Sequence, residues 1–360
     1  MGSTTGHSFR LTTFGESHGG AVGGVIEGCP PGLLLDNKAI RTALDARRTG
    51  SSIGASARKE ADEVVWLSGL DEGVTLGTAL AFMVLNKDAD PASYAPFKHL
   101  YRPSHADYTY ESRYGRRTWA GGGRASARET VSRVIAGCVA KQVLDALGAV
   151  EIVGWVESIG GVVSDVNNEK VTRDQINASP VRCPDEKAST KMVAAIKLAR
   201  KEKDSLGGVI RSVARGVPAG LGAPVFDKLD ADLAKAMLSI PSVKGFEIGS
   251  GFAGTQQRGS QHNDPFVPDG KGGVATSKND SGGVQGGISN GMDIVIRVAF
   301  KPVATIFIPQ NTVDDQGRAA VIEPRGRHDA AVLPRAVPIV EAMMALVLAD
   351  HWLRWRGQCG

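Results

Sequence analysis

The strongest constraint on the fold of this chain is an apolar stripe between residues 131 and 144. Its members recur at three- and four-residue spacing, the repeat of one face of an α-helix: Val131, Val134, Ile135, Cys138, Val139, Val143 and Leu144. A second stripe predicts a terminal helix over residues 337–355, with Val340, Met343, Met344 and Val347 on its apolar face. Such faces must be covered by other apolar layers, so the chain needs a sizeable core.

Short apolar segments bounded by glycine and polar residues predict strands around these helices. The predicted strands lie at 8–14, 21–28, 64–69, 78–85, 150–156, 208–216, 244–249 and 292–300, and further helices at 36–48, around 194–198 and at 230–238. Antiparallel-type strands that alternate with buried helices predict an α+β fold. Residues 87–121 and 254–290 carry no periodic pattern and are predicted as long loops, which in compact domains are typical of functional segments.

Charge and cysteine usage narrow the class of protein. The chain has 42 basic and 38 acidic residues, a net charge of +4 that is too small and dispersed for a duplex-binding surface but suits small anionic substrates. The cysteines are too widely spaced for a disulfide framework or a metal site: Cys29, Cys138, Cys183 and Cys359. No signal-peptide core is visible, and the apolar run 342–349 is far short of a membrane span. We therefore expect a soluble cytoplasmic protein that binds neither membranes nor nucleic acid.

Four segments rich in glycine, histidine or arginine stand apart from this scaffold. They are GESHG (15–19), RPSHADY (102–108), GGGRASARET (121–130) and RGRHD (325–329). Taken singly, each histidine is more often solvated surface, and a run of glycines is as often a hinge as a phosphate site. Together they suit elimination or transfer on a small molecule that carries phosphate and carboxylates, because arginine forks bind the anions and a histidine acid neutralises the leaving group.

These segments, together with three others in the same order, resemble the chorismate synthase family. The matching stretches are FGESHG (14–19), RPSHADYTY (102–110), GGGRASARET (121–130), GVPAGLGAPVFDKLDADLAKAM (216–237), SGGVQGGISNG (281–291), KPVATI (301–306) and GRHD (326–329). The resemblance implies one domain over residues 1–360, with helices sandwiched between antiparallel β-sheets, an internal pseudo-repeat and assembly as a homotetramer. It also implies an anti-1,4 elimination of phosphate from 5-enolpyruvylshikimate 3-phosphate to give chorismate, with reduced FMN and no net redox change.

The resemblance implies roles for residues that match the family's motifs. His18 is implied as the acid that protonates the departing phosphate, His105 as the donor to the reduced flavin, and Asp329 as the base that keeps flavin N5 able to accept the substrate proton. The hydroxyls of Ser17 and Ser126 are implied to link these groups to the flavin. The residues implied to hold FMN are Arg124, Ala125, Ser126, Gly286, Lys301, Pro302, Val303, Ala304, Thr305 and Arg327. Those implied for the substrate's anionic groups are Arg47, Arg48 and Arg128.

Two departures from the family pattern leave alternatives open. Ile53 stands where family members often carry an arginine, and the Gly- and Asp-rich segment 265–278 has no assigned role. The altered stretch 46–53 is what would support a flavin-binding paralogue without elimination activity, whereas the small net charge and scarce aromatics argue against a nucleic-acid-binding protein. Some family members reduce FMN with NADPH and others need an external flavin reductase. Since no separate nucleotide-binding module is apparent, the sequence favours a protein that needs an external flavin reductase.

Overall fold

The computed structural model describes residues 2–48, 62–87, 92–270, 272–324 and 329–360. In the first part of the chain the elements are β1 (Thr4–Thr5), β2 (Arg10–Gly15), β3 (Ala21–Glu27), α1 (Asn37–Arg47), β4 (Val65–Ser68), β5 (Leu70–Asp71), β6 (Val74–Thr75), β7 (Leu80–Leu85), α2 (Asp107–Tyr114) and α3 (Thr130–Gly148). Helix α1 begins where the sequence predicts, because the Asp36 carboxylate accepts a hydrogen bond from the Ala39 N–H at 2.9 Å and caps the first turn.

The second part of the chain contains more elements, several of them very short. They are β8 (Glu151–Ile159), β9 (Val162–Val163), α4 (Arg173–Ala178), α5 (Glu186–Lys201), β10 (Gly208–Arg215), α6 (Leu229–Leu238), β11 (Val243–Ile248), α7 (Gly259–His262), β12 (Phe266–Pro268), β13 (Val274–Thr276), β14 (Val284–Gln285), β15 (Ile288–Ser289), β16 (Ile294–Phe300), β17 (Gln310–Val313), β18 (Ala319–Ile322) and α8 (Leu333–Cys359).

Two five-stranded sheets repeat one connectivity. Their strand orders are β1-β2-β3-β7-β4 and β11-β16-β10-β8-β9, and the neighbouring strands in both are antiparallel. In the first sheet, β2 and β3 are followed by α1, then β4 and β7. In the second sheet, β8 and β10 are followed by α6, then β11 and β16. The last of the four strands pairs with the second in each sheet, β7 with β3 and β16 with β10. This duplicated ββαββ order confirms the predicted internal pseudo-repeat.

The two long helices fill the space between the sheets. Helix α3 packs against β2 and β3, α8 packs against β8 and β10, and the two helices contact each other. All seven members of the stripe predicted at 131–144 are buried in α3. Helix α8 is buried almost all round from Leu333 to Trp352, more widely than the single apolar face predicted from its sequence, because it has a sheet on one side and helices on the other. Helices thus lie between antiparallel sheets, as expected.

Helix α8 also has the length and composition of a membrane span. It is the one helix in the described ranges with such an apolar window, and 94% of that window is buried inside the protein. The apolar segment is therefore longer than the run 342–349 on which the sequence prediction rested. Core helices have this composition for the same reason as membrane helices, so the feature is weak evidence for a membrane.

Several sequence predictions of loops and faces are wrong. The stretch 87–121 contains α2, which has no apolar periodicity because Asp107 is its one buried residue. The stretch 254–290 contains α7 and two small hairpins, β12–β13 and β14–β15, whose strands are too short to show a period. For the helix around 194–198 the sequence predicts Ala194, Ile196 and Leu198 as the apolar positions. In α5 the buried residues include Met192, Ile196 and Ala199 instead, and Leu198 is exposed. Helix α4 and the hairpin β17–β18 lie in segments for which no element is predicted.

Helices α3 and α8 approach each other closely at Gly137. A methyl group placed on Gly137 would lie 2.3 Å from Cβ and 2.5 Å from Cα of Ala342, which is closer than side-chain carbons approach in proteins. The contact involves the α8 backbone and not the end of a flexible side chain. Glycine at this position therefore sets the distance between the two central helices.

We expect Gly137→Ala to lower the free energy of unfolding by about 1–3 kcal/mol, because overpacking forces the two helices apart. A matched control is Gly357→Ala near the end of α8, where nothing lies within 4 Å of the added methyl group. That change should be neutral or stabilise by up to about 1 kcal/mol, since alanine favours helix. The midpoints of urea unfolding curves measure the change in stability of both variants. Equal changes in the two would contradict the close contact at residue 137.

Candidate active site

A cavity of about 1180 Å³ gathers segments that are far apart in the sequence. It lies at the amino-terminal ends of α3 and α8, beside β2 and the segment that follows β16. Of the residues predicted for the site, those that line it are Arg47, Arg48, His105, Arg124, Ala125, Ser126, Arg128, Lys301, Val303, Ala304, Thr305 and Asp329. The structure thus brings together most of the predicted residues.

The glycine run 121–123 lines this cavity and packs against two histidines. All three glycines have positive φ angles of 66°, 89° and 54°, which favour glycine over other residues. A methyl group on Gly121 would lie 2.1 Å from Cε1 of His18, and one on Gly122 would lie 2.7 Å from Cε1 of His105. The backbone of the run therefore packs directly against both imidazoles and leaves no room for a side chain there.

His18 is held behind Gly121 by its own loop. The Oγ of Ser17 lies 3.0 Å from Nδ1 of His18, and the ring of Tyr94 contacts the imidazole edge-on at 5.2 Å between centroids. Neither Ser17 nor His18 is itself among the residues that line the cavity, although Gly121 in front of them is. The preceding Glu16 lines the cavity and accepts a hydrogen bond from the Thr118 hydroxyl at 2.8 Å.

His105 is oriented by a buried carboxylate. Oδ1 of Asp107 lies 3.1 Å from Nδ1 of His105, and Arg102 donates to both carboxylate oxygens, from Nη2 at 2.7 Å and from Nε at 2.8 Å. Burial would raise the pKa of Asp107, but the hydrogen bonds from Arg102 and His105 outweigh it and hold that pKa well below its usual range. The ionised carboxylate accepts from Nδ1–H, so Nε2 of His105 is the nitrogen available for chemistry.

Burial is also the main reason that the pKa of His105 lies below its ordinary value. The positive charge of Arg102 lowers it further, while Asp107 acts in the opposite direction and raises it. The imidazole is therefore neutral over more of the pH range than an exposed histidine would be. Protonation of His105 depends on the Asp107 carboxylate.

We expect Asp107→Asn to lower the pKa of His105 further, because the change removes the group that stabilises the imidazolium. NMR titration of the His105 ring resonances measures this pKa. Glu111→Gln on the same helix is the matched control, since Glu111 pairs with Arg117 and not with His105. A His105 pKa in Asp107→Asn at or above that of the parent protein would show that the carboxylate has no such role.

Two arginines share one buried carboxylate on another side of the cavity. Nη1 of Arg47 lies 3.4 Å from Oδ2 of Asp62, and Nη1 of Arg128 donates to Oδ1 of the same carboxylate. Arg47 also donates to the Thr130 hydroxyl at 3.1 Å and to the Ala127 carbonyl at 2.9 Å. Burial, with the nearby charge of Arg335, lowers the pKa of Arg47 to about 9. An anion bound here would offset this excess of positive charge.

The remaining predicted residues are fixed by contacts of different kinds. Arg124 donates to the Thr13 hydroxyl at 2.7 Å and to the Gly15 carbonyl at 3.1 Å, which ties it to β2. The Ser126 hydroxyl accepts from the Arg128 N–H at 3.3 Å and caps a short helical turn. Nζ of Lys301 donates to the Ser104 carbonyl at 3.2 Å, and burial with the charge of Lys244 lowers the pKa of Lys301. The carboxylate of Asp329 is ion-paired with Arg335.

Some of the predicted residues are not brought to the cavity. Gly286 lies in the turn between β14 and β15, and Pro302 does not face the cavity although both of its neighbours do. Arg327 and Ile53 lie outside the described residues. In the segment 265–278 the strands β12 and β13 form a hairpin, and the Asp269 carboxylate accepts from the Gly273 N–H at 2.8 Å. The described residues of this segment do not line the cavity.

Sequence reasoning missed several residues that build the cavity. Arg102 and Asp107 belong to a segment singled out for its histidine, so a carboxylate two residues from His105 was an available signal. Asp62 had no local signal, since its partner Arg128 is 66 positions away. The residues that line the far end also have no distinctive pattern: Lys235, Ser239, Ile240, Pro241 and Ser242. Within the described ranges, no group of three or more His, Cys, Asp or Glu residues could hold a metal ion.

Two stretches outside the cavity have the spacing of known functional loops. Residues 249–254 (GSGFAG) follow β11 with the glycine spacing of a dinucleotide-binding loop. From Gly251 onward the stretch forms a short 3₁₀ turn (Gly251–Gln256) instead of an α-helix, and the Phe252 N–H donates to the Glu247 carboxylate at 3.1 Å. Residues 287–291 (GISNG) have the spacing of a nucleophile elbow, but the hydroxyl of the buried Ser289 donates to the Pro218 carbonyl at 2.6 Å. The first stretch therefore lacks the helix that a dinucleotide-binding loop requires, and the second lacks the exposed serine that a nucleophile elbow requires.

Comparisons with known proteins identify a family for the whole chain. A family model described as chorismate synthase matches residues 9–353. The curated chorismate synthase of Synechococcus elongatus is 56% identical over 359 residues, and that of Crocosphaera subtropica is 55% identical over 359 residues; each alignment covers 100% of this chain and 99% of the relative. A solved structure described as a crystal structure of chorismate synthase has a TM-score of 0.76 at 30% identity, covering 97% of this chain and 93% of that one. The resemblance and the α+β fold predicted from sequence are confirmed.

Proposed function

The chain belongs to the chorismate synthase family and is a lyase acting on phosphates, and we propose that it converts 5-enolpyruvylshikimate 3-phosphate to chorismate. The proposed reaction is an anti-1,4 elimination in which the substrate loses phosphate and a ring proton with no net redox change. It would serve the shikimate pathway of aromatic amino-acid biosynthesis. The observation that carries the proposal is the convergence of the histidine, glycine and arginine segments on one cavity.

The arginines are the proposed binding groups for the substrate's phosphate and carboxylates. Arg47 and Arg128 are buried and share Asp62, and Arg48 lines the cavity nearby. Planar guanidinium groups bind phosphate and carboxylate oxygens in pairs, and they act more strongly where water is excluded. Because one carboxylate serves two guanidinium groups, this part of the cavity has a positive charge that suits a polyanion.

Histidines and a carboxylate are the proposed proton-transfer groups. His18, supported by Ser17, is the proposed acid for the departing phosphate, and His105, supported by Asp107, is the proposed donor beside the cofactor. Asp329 is the proposed base, and its carboxylate forms an ion pair with Arg335. A positioned acid that neutralises charge on a leaving group lowers the barrier to breaking the carbon–oxygen bond.

The cavity fits FMN together with the substrate. Its volume of about 1180 Å³ exceeds the ordinary size of a pocket for one small molecule, and its lining combines basic side chains with close backbone at Gly121–Gly123. The residues proposed to hold FMN are Arg124, Ala125, Ser126, Lys301, Val303, Ala304 and Thr305, with Ser17 and Ser126 as hydrogen-bonding links; Gly286, Pro302 and Arg327 stay predictions from the resemblance. Reduced flavin, when bound, supplies electron density to the carbon framework as phosphate leaves.

We propose that the reduced flavin comes from an external reductase and that the protein works in the cytoplasm. The glycine pattern at 249–254 lacks the helix that a dinucleotide phosphate needs, so it does not support an NADPH site in that loop. All four cysteines are free, which agrees with a reducing compartment.

A homotetramer is the proposed assembly, and the first sheet supplies a surface for it. Phe14 pairs with Gly23, Gly23 with Met83 and Met83 with Val65, so these residues share the face that is turned away from the core. Phe14 and Val65 are 43% and 40% exposed in the single chain. An apolar sheet face of this kind is typical of surfaces that are covered by another subunit.

The function is tested by an anaerobic assay with purified protein, chemically reduced FMN and 5-enolpyruvylshikimate 3-phosphate. We expect chorismate absorbance and free phosphate to appear in equal amounts. His18→Ala and Asp329→Ala should each slow turnover by about 10²- to 10⁴-fold, because each removes a proton-transfer group, while FMN and substrate still bind. His262→Ala, which removes a histidine that contacts Ser250 and does not line the cavity, is the control and should keep its rate. Near-normal turnover in both His18→Ala and Asp329→Ala would contradict the proposed roles of these residues as acid and base. If the parent protein forms no chorismate and no phosphate, the protein is instead an inactive paralogue.

The assembly is tested by placing a charge on the outer face of the first sheet. Val65→Lys should reduce the particle mass from that of a tetramer in analytical ultracentrifugation, because a buried lysine without a partner is costly. Val313→Lys on β17 is the matched control, since both valines lie in strands and are 40% exposed. If Val65→Lys keeps the mass of the parent protein, this face does not form the subunit contact.

A further inference from the structure

One carboxamide connects two segments of the proposed site. Asn86 directly follows β7, and its Nδ2 donates to the carbonyls of Glu16 and Gly19, each at 2.8 Å. On the other side, its Oδ1 accepts from Nε of Arg128 at 2.9 Å. The backbone N–H of Asn86 also donates to the Gly20 carbonyl at 3.0 Å. Both ends of the side chain are thus engaged, one with the His18 loop and the other with an arginine.

The contacts of Nδ2 bracket the proposed acid. Glu16 and Gly19 lie on either side of Ser17 and His18, and the Gly19 N–H donates to the Glu16 carbonyl at 3.2 Å across this turn. Gly19 and Gly20 are exposed, so packing does little to hold the end of the loop. Asn86 ties both sides of the turn to the end of β7, and this fixes where His18 meets Gly121.

The contact of Oδ1 orients Arg128. A guanidinium group is planar, so contacts at Nε and at one terminal nitrogen together fix its plane. In Arg128 these contacts are Asn86 at Nε and the buried Asp62 at Nη1. Asp62 also holds Arg47, and the orientation that Asn86 imposes therefore extends to the pair of buried arginines.

We propose that Asn86 is a positioning residue that fixes the position of the His18 loop relative to the Arg128 guanidinium. The proposal rests on the function proposed above, in which His18 protonates the leaving phosphate and Arg128 binds an anionic group of the substrate. Asn86 touches neither substrate nor cofactor in this role. Its carboxamide suits the task because it donates to two carbonyls and accepts from an arginine at the same time.

Asn86→Asp separates the two contacts while keeping the size of the side chain. The carboxylate still accepts from Arg128 but repels the carbonyls of Glu16 and Gly19, so the His18 loop loses its tie while the arginine keeps its partner. We expect kcat to fall by about 10- to 100-fold, the cost of misplacing a catalytic group by about 1 Å. The KM for 5-enolpyruvylshikimate 3-phosphate should rise as well, because the added carboxylate offsets part of the positive charge that binds the substrate's anionic groups.

Asn86→Ala removes both contacts and should therefore lower kcat and also raise KM. The matched control is Asn168→Asp, because Asn168 is another half-buried asparagine that accepts from an arginine, Arg211, at 2.8 Å, and it does not line the cavity. Asn168→Asp should leave both constants unchanged. If Asn86→Asp keeps the parent kcat, Asn86 does not act through the His18 loop.

A second measurement does not depend on turnover. In protein with labelled histidine, the ring resonance of His18, identified by its loss in His18→Ala, should shift or broaden in Asn86→Asp while that of His105 stays in place. An unchanged His18 resonance would overturn the proposal even if the parent protein made no chorismate. Failure of the parent protein in the assay, with a shifted His18 resonance in the variant, would count against the proposed function and leave the positioning of the loop established.

Discussion

The burial of α3 against α8 is the contact on which the rest of the structure depends. Each sheet covers one of these helices, and the helices meet at Gly137, where no larger residue fits. The amino-terminal segment is tied to the same layer, because Oδ1 of Asp350 on α8 accepts from the N–H groups of His7 at 2.8 Å, Ser8 at 2.6 Å and Phe9 at 2.9 Å. Strand β2 follows directly and ends at the His18 loop. The central helices therefore determine where the proposed acid lies.

Buried charges organise the site before any ligand arrives. Asp62 holds two arginines, and Asp107 holds His105 together with Arg102. Removing water from these groups costs free energy, and the ion pairs and hydrogen bonds act against that cost. Groups fixed in this way need little rearrangement when charge develops on a substrate, which is the condition for strong electrostatic catalysis.

Local patterns in the sequence predict the long helices and strands well. They predict poorly the residues that hold the site's side chains in place. Helix α3 and the longer strands of both sheets are visible because apolar periodicity and capping are local, as at Asp36, whereas the two-residue edge strands β1 and β9 are not predicted. Helix α2 is not visible, because the burial of a single aspartate leaves no period. His105 and Arg128 could be proposed from motifs, whereas Asp62 and Asn86 could not: their contacts with Arg128 join residues 66 and 42 positions apart, and no spacing rule connects such pairs.

The duplicated ββαββ order has an evolutionary consequence. Each copy is followed by a long central helix, α3 in the first and α8 in the second, and the segments just before these helices are GGGRASARET and GRHD. The two motifs thus occupy equivalent places in the two halves, and both helix starts line one cavity through Ser126, Arg128, Asp329 and Arg335. Fusion of the two subunits of an ancestral homodimer would give two such units with their helix starts at one shared cavity. Divergence of the halves would then have turned one symmetric pocket into a site with different chemical groups on its two sides.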